Sequence, residues 1–145
     1  MIFSKACEYG IRATLYLAQQ SHKNLRPNLK DIAKAIDSPE AFTAKILQEL
    51  VKSKIVKSVK GASGGFEVDS KKIAKVKLKH IIMAIDKDFS DKLCVLGLKK
   101  CSELRPCPLH YKYKHVKADM NEMFNTTSLL DMSNSLKNGT SWLKL

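Results

Sequence analysis

Residues 29–69 have the sequence LKDIAKAIDSPEAFTAKILQELVKSKIVKSVKGASGGFEVD, and the order of elements within them decides the fold. The spacing of the apolar residues predicts a short helix over 29–36 and a second helix over 39–53, with Ser38 as its cap and Pro39 in its first position. Alternating, β-branched residues then predict strands at 55–60 and 66–69, which a glycine-rich turn connects. Two helices joined by a tight turn and followed directly by a hairpin are typical of a winged helix-turn-helix, in which the hairpin is the wing.

The sequence on either side completes a mainly α fold with one small β-hairpin. Residues 1–86 form the winged helix-turn-helix part. It begins with a helix over 3–20 and ends with residues 72–86, which begin basic and become an apolar helix at Ile81, Ile82 and Ile85. Residues 87–107 form a loop that contains three cysteines, and residues 108–145 form a long helix and a C-terminal segment. We therefore expect one DNA-binding domain with an appended loop and an appended dimerisation helix.

The long helix, predicted to end near residue 124, has apolar residues at alternating intervals of four and three. This is the spacing of a coiled-coil seam, so we expect a helix of a second subunit to pack along it. The residues of the predicted seam are Leu109, Tyr113, Val116, Met120 and Met123. The pattern predicts a homodimer.

Composition narrows the class of partner. The chain has 145 residues and a formal net charge of +12, and residues 1–80 hold 16 of its 26 Lys and Arg but 7 of its 14 Asp and Glu. An excess of positive charge on a helix-turn-helix part favours double-stranded DNA as the partner. No apolar stretch is long enough to span a membrane, and the N-terminus has no signal-peptide pattern, so we expect a cytoplasmic protein without a membrane partner.

The helix over 39–53 and the wing supply the candidate DNA contacts. The helix is expected to bury an apolar stripe and to present its opposite face to the major groove, where Gln can bond adenine and Lys can bond guanine. A single exposed lysine is more often only solvated, but helices, wing and charge agree here. The candidate contacts are Ala41, Ala44, Lys45, Gln48, Lys57, Lys60, Ser63 and Gly64.

Two motifs resemble those of a known family. SKACEYGIRA at residues 4–13 and SVKGASGGF at residues 58–66 are similar to the opening and wing motifs of the IscR/NsrR (Rrf2) family of bacterial regulators. The resemblance extends over nearly the whole chain and implies a cytoplasmic, homodimeric transcription regulator, often a repressor, and not an enzyme. Lys60 stands where relatives commonly carry Arg, and Ala44 where one relative carries a base-contacting Glu. The operator preference of that relative therefore does not transfer.

Three cysteines, Cys94, Cys101 and Cys107, lie in the loop with six and five residues between them. The resemblance implies that they hold an iron–sulfur cluster, with [2Fe-2S] favoured over [4Fe-4S], through which the regulator senses redox, nitric oxide or iron–sulfur status. The first interval is one residue longer than is common in the family. His110 and Glu8 are both candidates for a fourth ligand. We expect that aerobic preparation can remove the cluster.

Other roles for these cysteines stay open. Three Cys and one His can also hold structural zinc, and a cluster-free regulator can respond to thiol oxidation or to a protein partner. Cys7, on the first helix, is expected to be a small core residue rather than a ligand. A catalytic cysteine is disfavoured because the sequence offers no evident set of catalytic partners.

Overall fold

The structure, a computed structural model, describes residues 2–89 and 94–143; residues 90–93 of the predicted cysteine loop lie outside this part. The described residues form helices α1 to α6 and one antiparallel sheet of strands β1 and β2, which confirms the predicted fold class. In chain order the elements are α1 Lys5–His22, α2 Leu29–Ile36, α3 Glu40–Lys52, β1 Lys57–Val59, β2 Gly65–Glu67, α4 Leu78–Ile85, α5 His110–Thr126 and α6 Leu129–Lys137.

Helix α4 begins late in the segment from which it was predicted. We expected residues 72–86 to begin basic and to become an apolar helix, and the helix begins at Leu78. Its beginning coincides with a pairing between distant segments: Lys77 bridges to Ser128, Leu78 donates a backbone hydrogen bond to Thr127, and Leu129 donates one to Val76. This pairing holds Lys77 extended immediately before α4 and seats α6 beside the body of the fold.

The main core lies under the helix-turn-helix. It joins α1, α2, α3, the base of the wing, the beginning of α4 and α6, and its fully buried large side chains include Leu17, Ile32, Leu47, Leu50, Ile81 and Leu129. Each such side chain contributes about 1.5–3 kcal/mol through removal of apolar surface from water. The core therefore fixes α3, the predicted recognition helix, against the rest of the domain.

A smaller cluster connects α5 to the same body. The rings of Phe3, Phe89 and Phe124 lie with their centroids 5.5–5.7 Å apart, and Cys7 and Ile82 pack beside them. Aromatic pairs at this distance contribute about 0.5–1.5 kcal/mol each beyond the area they bury. Phe124 thereby anchors the C-terminal end of α5, whereas most side chains along the rest of this helix are exposed.

Candidate nucleic-acid interface and cysteine cluster

Helix α3 has one buried face and one open face. Ile46, Leu47 and Leu50 are buried, as the apolar spacing predicted, and Thr43 joins them because its hydroxyl donates to the carbonyl oxygen of Pro39 at 2.9 Å. The open face carries the exposed residues Ala41, Lys45 and Gln48 and the half-buried Ala44. The helix thus presents the four candidate positions away from the core.

Residues of the opening motif position the recognition helix. The guanidinium of Arg12 lies 4.7 Å from the centre of the Tyr9 ring and donates to the carbonyl oxygen of Ile36 at 3.2 Å. The Tyr9 ring in turn meets Phe42 edge-on, with centroids 5.7 Å apart. Arg12 and Tyr9 therefore link α1 to the end of α2 and to the beginning of α3. Sequence reasoning had assigned neither residue a role, although both lie in the motif that indicated the family.

The two strands of the wing are shorter than predicted, and the turn that connects them requires glycine. Each strand has three residues, paired Lys57 with Glu67, Ser58 with Phe66 and Val59 with Gly65. At Gly64 a Cβ atom would lie 2.3 Å from the carbonyl oxygen of Val59, so the turn itself requires glycine there. This explains Gly64 by the geometry of the hairpin; a contact of Gly64 with DNA stays a prediction.

The wing rests on the loop between α1 and α2. Gly65 has φ +147°, and a Cβ atom on it would lie 2.4 Å from the carbonyl oxygen of Arg26. Phe66 donates a backbone hydrogen bond of 3.0 Å to Pro27, and the Arg26 side chain pairs with Glu67 at 2.6 Å. This support sets the height and direction of the wing, and sequence reasoning missed it.

The candidate lysines on this surface are unpaired. Within the described part of the chain, Lys45, Lys57 and Lys60 form no ion pair, whereas Lys52 and Lys87 both pair with Glu49. Lys57 and Lys60 are exposed on the wing together with Ser63. Unpaired, exposed ammonium groups on one surface are suited to phosphate contacts.

In the cysteine segment, which is the described part of the predicted loop over 87–107, one thiol lies next to an imidazole. The Sγ atom of Cys101 lies 3.2 Å from Nδ1 of His110, and the His110 backbone N–H donates to the carbonyl oxygen of Cys107 at 3.0 Å. His110 is 5% exposed, and its Nε2 atom is buried and has no hydrogen-bond partner among the residues that the structure describes. Cys101 is exposed, while Cys94 and Cys107 are half-buried, and all three are free thiols.

The residue types of this segment suit a metal ion or an iron–sulfur cluster, but their positions do not form a ligand set. Thiolates and imidazole are the ligands that iron–sulfur clusters and zinc accept, and a buried ring nitrogen without a partner is unusual. However, no three side chains of His, Cys, Asp or Glu in the described segments surround a common point. Cys101 and His110 are in contact, and no described contact joins Cys94 to them.

Cys7 and Glu8 are placed differently from the loop cysteines. Cys7 is completely buried, which confirms its prediction as a core residue. Burial first, and then the charges of Asp86 and Glu8, raises the pKa of its thiol to about 12. The Glu8 carboxylate accepts from the Lys5 ammonium at 3.1 Å. Its role as a ligand stays a prediction.

The predicted seam of α5 is partly open. Leu109, Val116 and Met123 are 40%, 49% and 47% exposed, and they recur at intervals of seven residues. Met120 instead packs against the phenylalanine cluster of its own subunit. The first three therefore form an apolar stripe without a partner in the described chain, whereas Met120 contributes to the subunit's own core.

Across residues 2–89 and 94–143, no helix has the length and apolar character that crossing a membrane requires.

Comparison with known proteins places the chain in a family. Residues 3–135 match the Rrf2 family, described as an iron-dependent transcriptional regulator. An HTH-type transcriptional regulator of Aquifex aeolicus is 34% identical over 136 residues, which cover 92% of each chain. CymR, the global cysteine regulator of B. subtilis, has a similar structure with a TM-score of 0.72 and 20% identity, over 91% of this chain and 95% of its own. IscR of T. potens also has a similar structure, with a TM-score of 0.70 and 22% identity, over 96% of this chain and 90% of its own. The chain therefore belongs to the Rrf2 family of transcription regulators, which bind DNA, usually act as dimers and are not enzymes.

Proposed function

We propose that this regulator binds operator DNA as a homodimer and that its cysteine segment senses redox, nitric oxide or iron–sulfur status through an iron–sulfur cluster. The observation that carries the proposal is the buried imidazole of His110: it contacts Cys101, and its Nε2 atom has no partner in the described part of the chain. His110 is also the first residue of α5, the helix proposed to join the two subunits. Sensing and dimerisation therefore meet at one residue.

In this proposal the three parts of the chain have separate tasks. Residues 1–86 bind DNA: the open face of α3 enters the major groove, and the wing approaches the backbone or the minor groove. Residues 87–107 hold the cluster, and residues 108–145 form the subunit interface. The first task is supported by the position of the candidate contacts, all of which lie on α3 or the wing. They are Ala41, Ala44, Lys45, Gln48, Lys57, Lys60, Ser63 and Gly64.

The cluster would be held by Cys94, Cys101 and Cys107, with His110 as the fourth ligand and Glu8 as its alternative. When bound, the group supplies reactivity toward oxidants and nitric oxide, and we favour [2Fe-2S] over [4Fe-4S]. The protein would transmit the state of the cluster through the position of α5. A group bound to His110 would restrain the first turn of this helix, and Phe124 holds its other end against Phe3 and Phe89. A restraint at one end of a helix that is anchored at the other changes the relative placement of two subunits.

Anaerobic reconstitution tests the ligands. We expect visible sulfur-to-iron charge-transfer bands and at least about one iron per subunit. Cys94→Ala, Cys101→Ala and Cys107→Ala should each abolish the bands, because thiolate ligands are not replaced by solvent without loss of the cluster. Cys7→Ala is the matched control and should keep them. His110→Ala should alter the spectrum without removing it. Iron well below one per subunit with all three loop thiols still titratable would contradict the proposal.

DNA binding tests the coupling. Fluorescence anisotropy on a family of duplexes should give different affinities for the reconstituted and the cluster-free protein, and the difference should vanish in Cys101→Ala. Equal affinities of the two forms for a selected operator sequence would show that the cysteine segment does not control DNA binding.

A thiol sensor without a cluster is the second candidate. Cys101 is exposed and its thiol contacts an imidazole, which is an arrangement in which a thiol can be oxidised selectively. Peroxide would convert the thiol to a sulfenic acid with release of water. Mass spectrometry of the iron-free and zinc-free protein should then find the oxidation at Cys101 before Cys94 or Cys107. Even oxidation of all three would exclude this candidate.

A further inference from the structure

An apolar cavity of about 380 Å³ lies between α3 and the wing, beside the candidate DNA contacts. Ala44 and Val51 of α3 and Phe66 of the wing line it, and all three are half-buried, so part of each residue stays accessible. The described lining residues include no carboxylate. The cavity is therefore suited to an apolar group that enters from outside the subunit.

The two walls of this cavity are held in place by the fold. On one side, Phe66 pairs directly with Ser58 across the wing, and its backbone N–H donates to the carbonyl oxygen of Pro27 at 3.0 Å. On the other side, α3 is fixed to the main core by Ile46 and Leu50, both of which are buried. Because the walls are already ordered, an incoming group meets a formed cavity and does not have to order its lining.

The charged and polar residues around the cavity indicate what kind of molecule reaches it. Lys45 on α3 and Lys57 and Lys60 on the wing are exposed, and within the described residues they form no ion pair. Gln48, also exposed, lines the cavity beside Ala44. Duplex DNA held at its phosphates by these lysines presents base edges to α3 in the major groove. Among those edges only thymine offers an apolar group, its C5 methyl.

We propose that this cavity receives the methyl group of an operator thymine, with Ala44, Val51 and Phe66 around the methyl and Gln48 bonded to a nearby adenine. This inference rests on the proposed DNA binding and adds a preferred base to it. Gln48 follows Ala44 by four residues, which is a rise of about 6 Å along a helix, and successive base pairs are about 3.4 Å apart. The thymine and the adenine therefore lie within two base pairs of each other in each half-site.

Replacement of thymine by uracil tests this contact, because the two bases differ only by the methyl group. An operator is first obtained by binding-site selection with the full-length protein, reconstituted or cluster-free, whichever binds duplexes more tightly. Uracil then replaces thymine at one position at a time, in both half-sites, and fluorescence anisotropy gives each affinity. At one position uracil should weaken binding about fourfold per half-site, which is the effect of one buried methyl group. Equal affinities with thymine and uracil at every position would overturn the inference.

Variants of the lining assign the sensitive thymine to the cavity. Ala44→Ser and Val51→Thr each place a hydroxyl in a wall of similar size, so the preference for thymine over uracil at this position should fall below about twofold. Ala35→Ser makes the same change at a half-buried position of α2 outside the cavity and should keep the full preference.

The outcomes separate this inference from the proposed function. A full preference for thymine in both Ala44→Ser and Val51→Thr would place the sensitive base at another contact and overturn the inference. Salt-dependent binding of a selected operator without any difference between thymine and uracil would refute the inference and leave the proposed DNA binding intact. A protein that binds no duplex at all would refute both.

Discussion

Gly65→Ala should detach the wing from its support. A non-glycine residue at φ +147° costs about 1–3 kcal/mol of conformational strain. The new Cβ atom would also lie 2.4 Å and 2.7 Å from the carbonyl oxygens of Arg26 and Pro27, both of them backbone atoms that cannot rotate away. The wing must then move, and the hydrogen bond from Phe66 to Pro27 is lost, which costs about 1 kcal/mol more. We expect the free energy of unfolding to fall by about 2–4 kcal/mol.

Gly61→Ala is the matched control for this prediction. Gly61 also has positive φ, at +108°, but a Cβ atom there would contact nothing within 4 Å, so only the conformational cost applies. Urea unfolding at one fixed protein concentration should therefore show a larger loss for Gly65→Ala, by about 1 kcal/mol or more. Hydrogen exchange should show an unprotected Phe66 amide in Gly65→Ala and a protected one in Gly61→Ala. Equal stabilities with a protected Phe66 amide in both variants would refute the close approach.

Three further changes test other surfaces. Lys60→Ala should weaken binding to all duplexes and reduce the slope of log K against log salt by about 1, whereas Gln48→Ala should alter the sequences recovered in binding-site selection; an unchanged slope would remove Lys60 from the phosphate contacts. Val116→Glu with Met123→Glu should give monomers in sedimentation velocity, because both side chains are exposed on the apolar stripe; an intact dimer would place the interface elsewhere. Because the native Cys7 thiol has a pKa of about 12 against an ordinary 9.0, it binds its proton more tightly than the unfolded chain does, so the free energy of unfolding should fall as pH rises above about 9. Cys7→Ala should flatten this part of the pH profile.

The helix-turn-helix could be predicted closely because its signals are local. The predicted helix over 29–36 coincides with α2, and the predicted helix over 39–53 is one residue longer than α3 at each end. Asn28 and Asp31 form a reciprocal cap at the beginning of α2, and Asp37 ends it in the left-handed conformation. Caps and apolar spacing act within one or two turns, so the sequence of that segment contains them completely.

Features that join distant segments could not be predicted. The late beginning of α4 coincides with a pairing to residues 127–129, and the direction of the wing depends on Arg26 and Pro27. Nothing within the lysine-rich segment before α4, or within the wing, indicates these partners. The sequence identified a glycine-rich turn, but it did not indicate that Gly65 lies against the carbonyl oxygens of Arg26 and Pro27.

The cysteine segment was predictable only in part: its candidate ligands could be read from the sequence, but the burial of His110 could not. The resemblance to the family indicated the set of candidate ligands, which stays a prediction, and the structure brings two of them, Cys101 and His110, into contact. The burial of His110 could not be foreseen, since its spacing in α5 is equally typical of an exposed first turn. Burial shields its Nε2 atom from solvent, and no described residue bonds this atom, which lies at the beginning of the helix that also carries the open stripe of Leu109, Val116 and Met123. Any group that satisfies this nitrogen must therefore act on the first turn of α5, from which the stripe extends. If His110 is a ligand and α5 the interface, as we propose, the stiffness of that helix would couple the two without a longer pathway through the core.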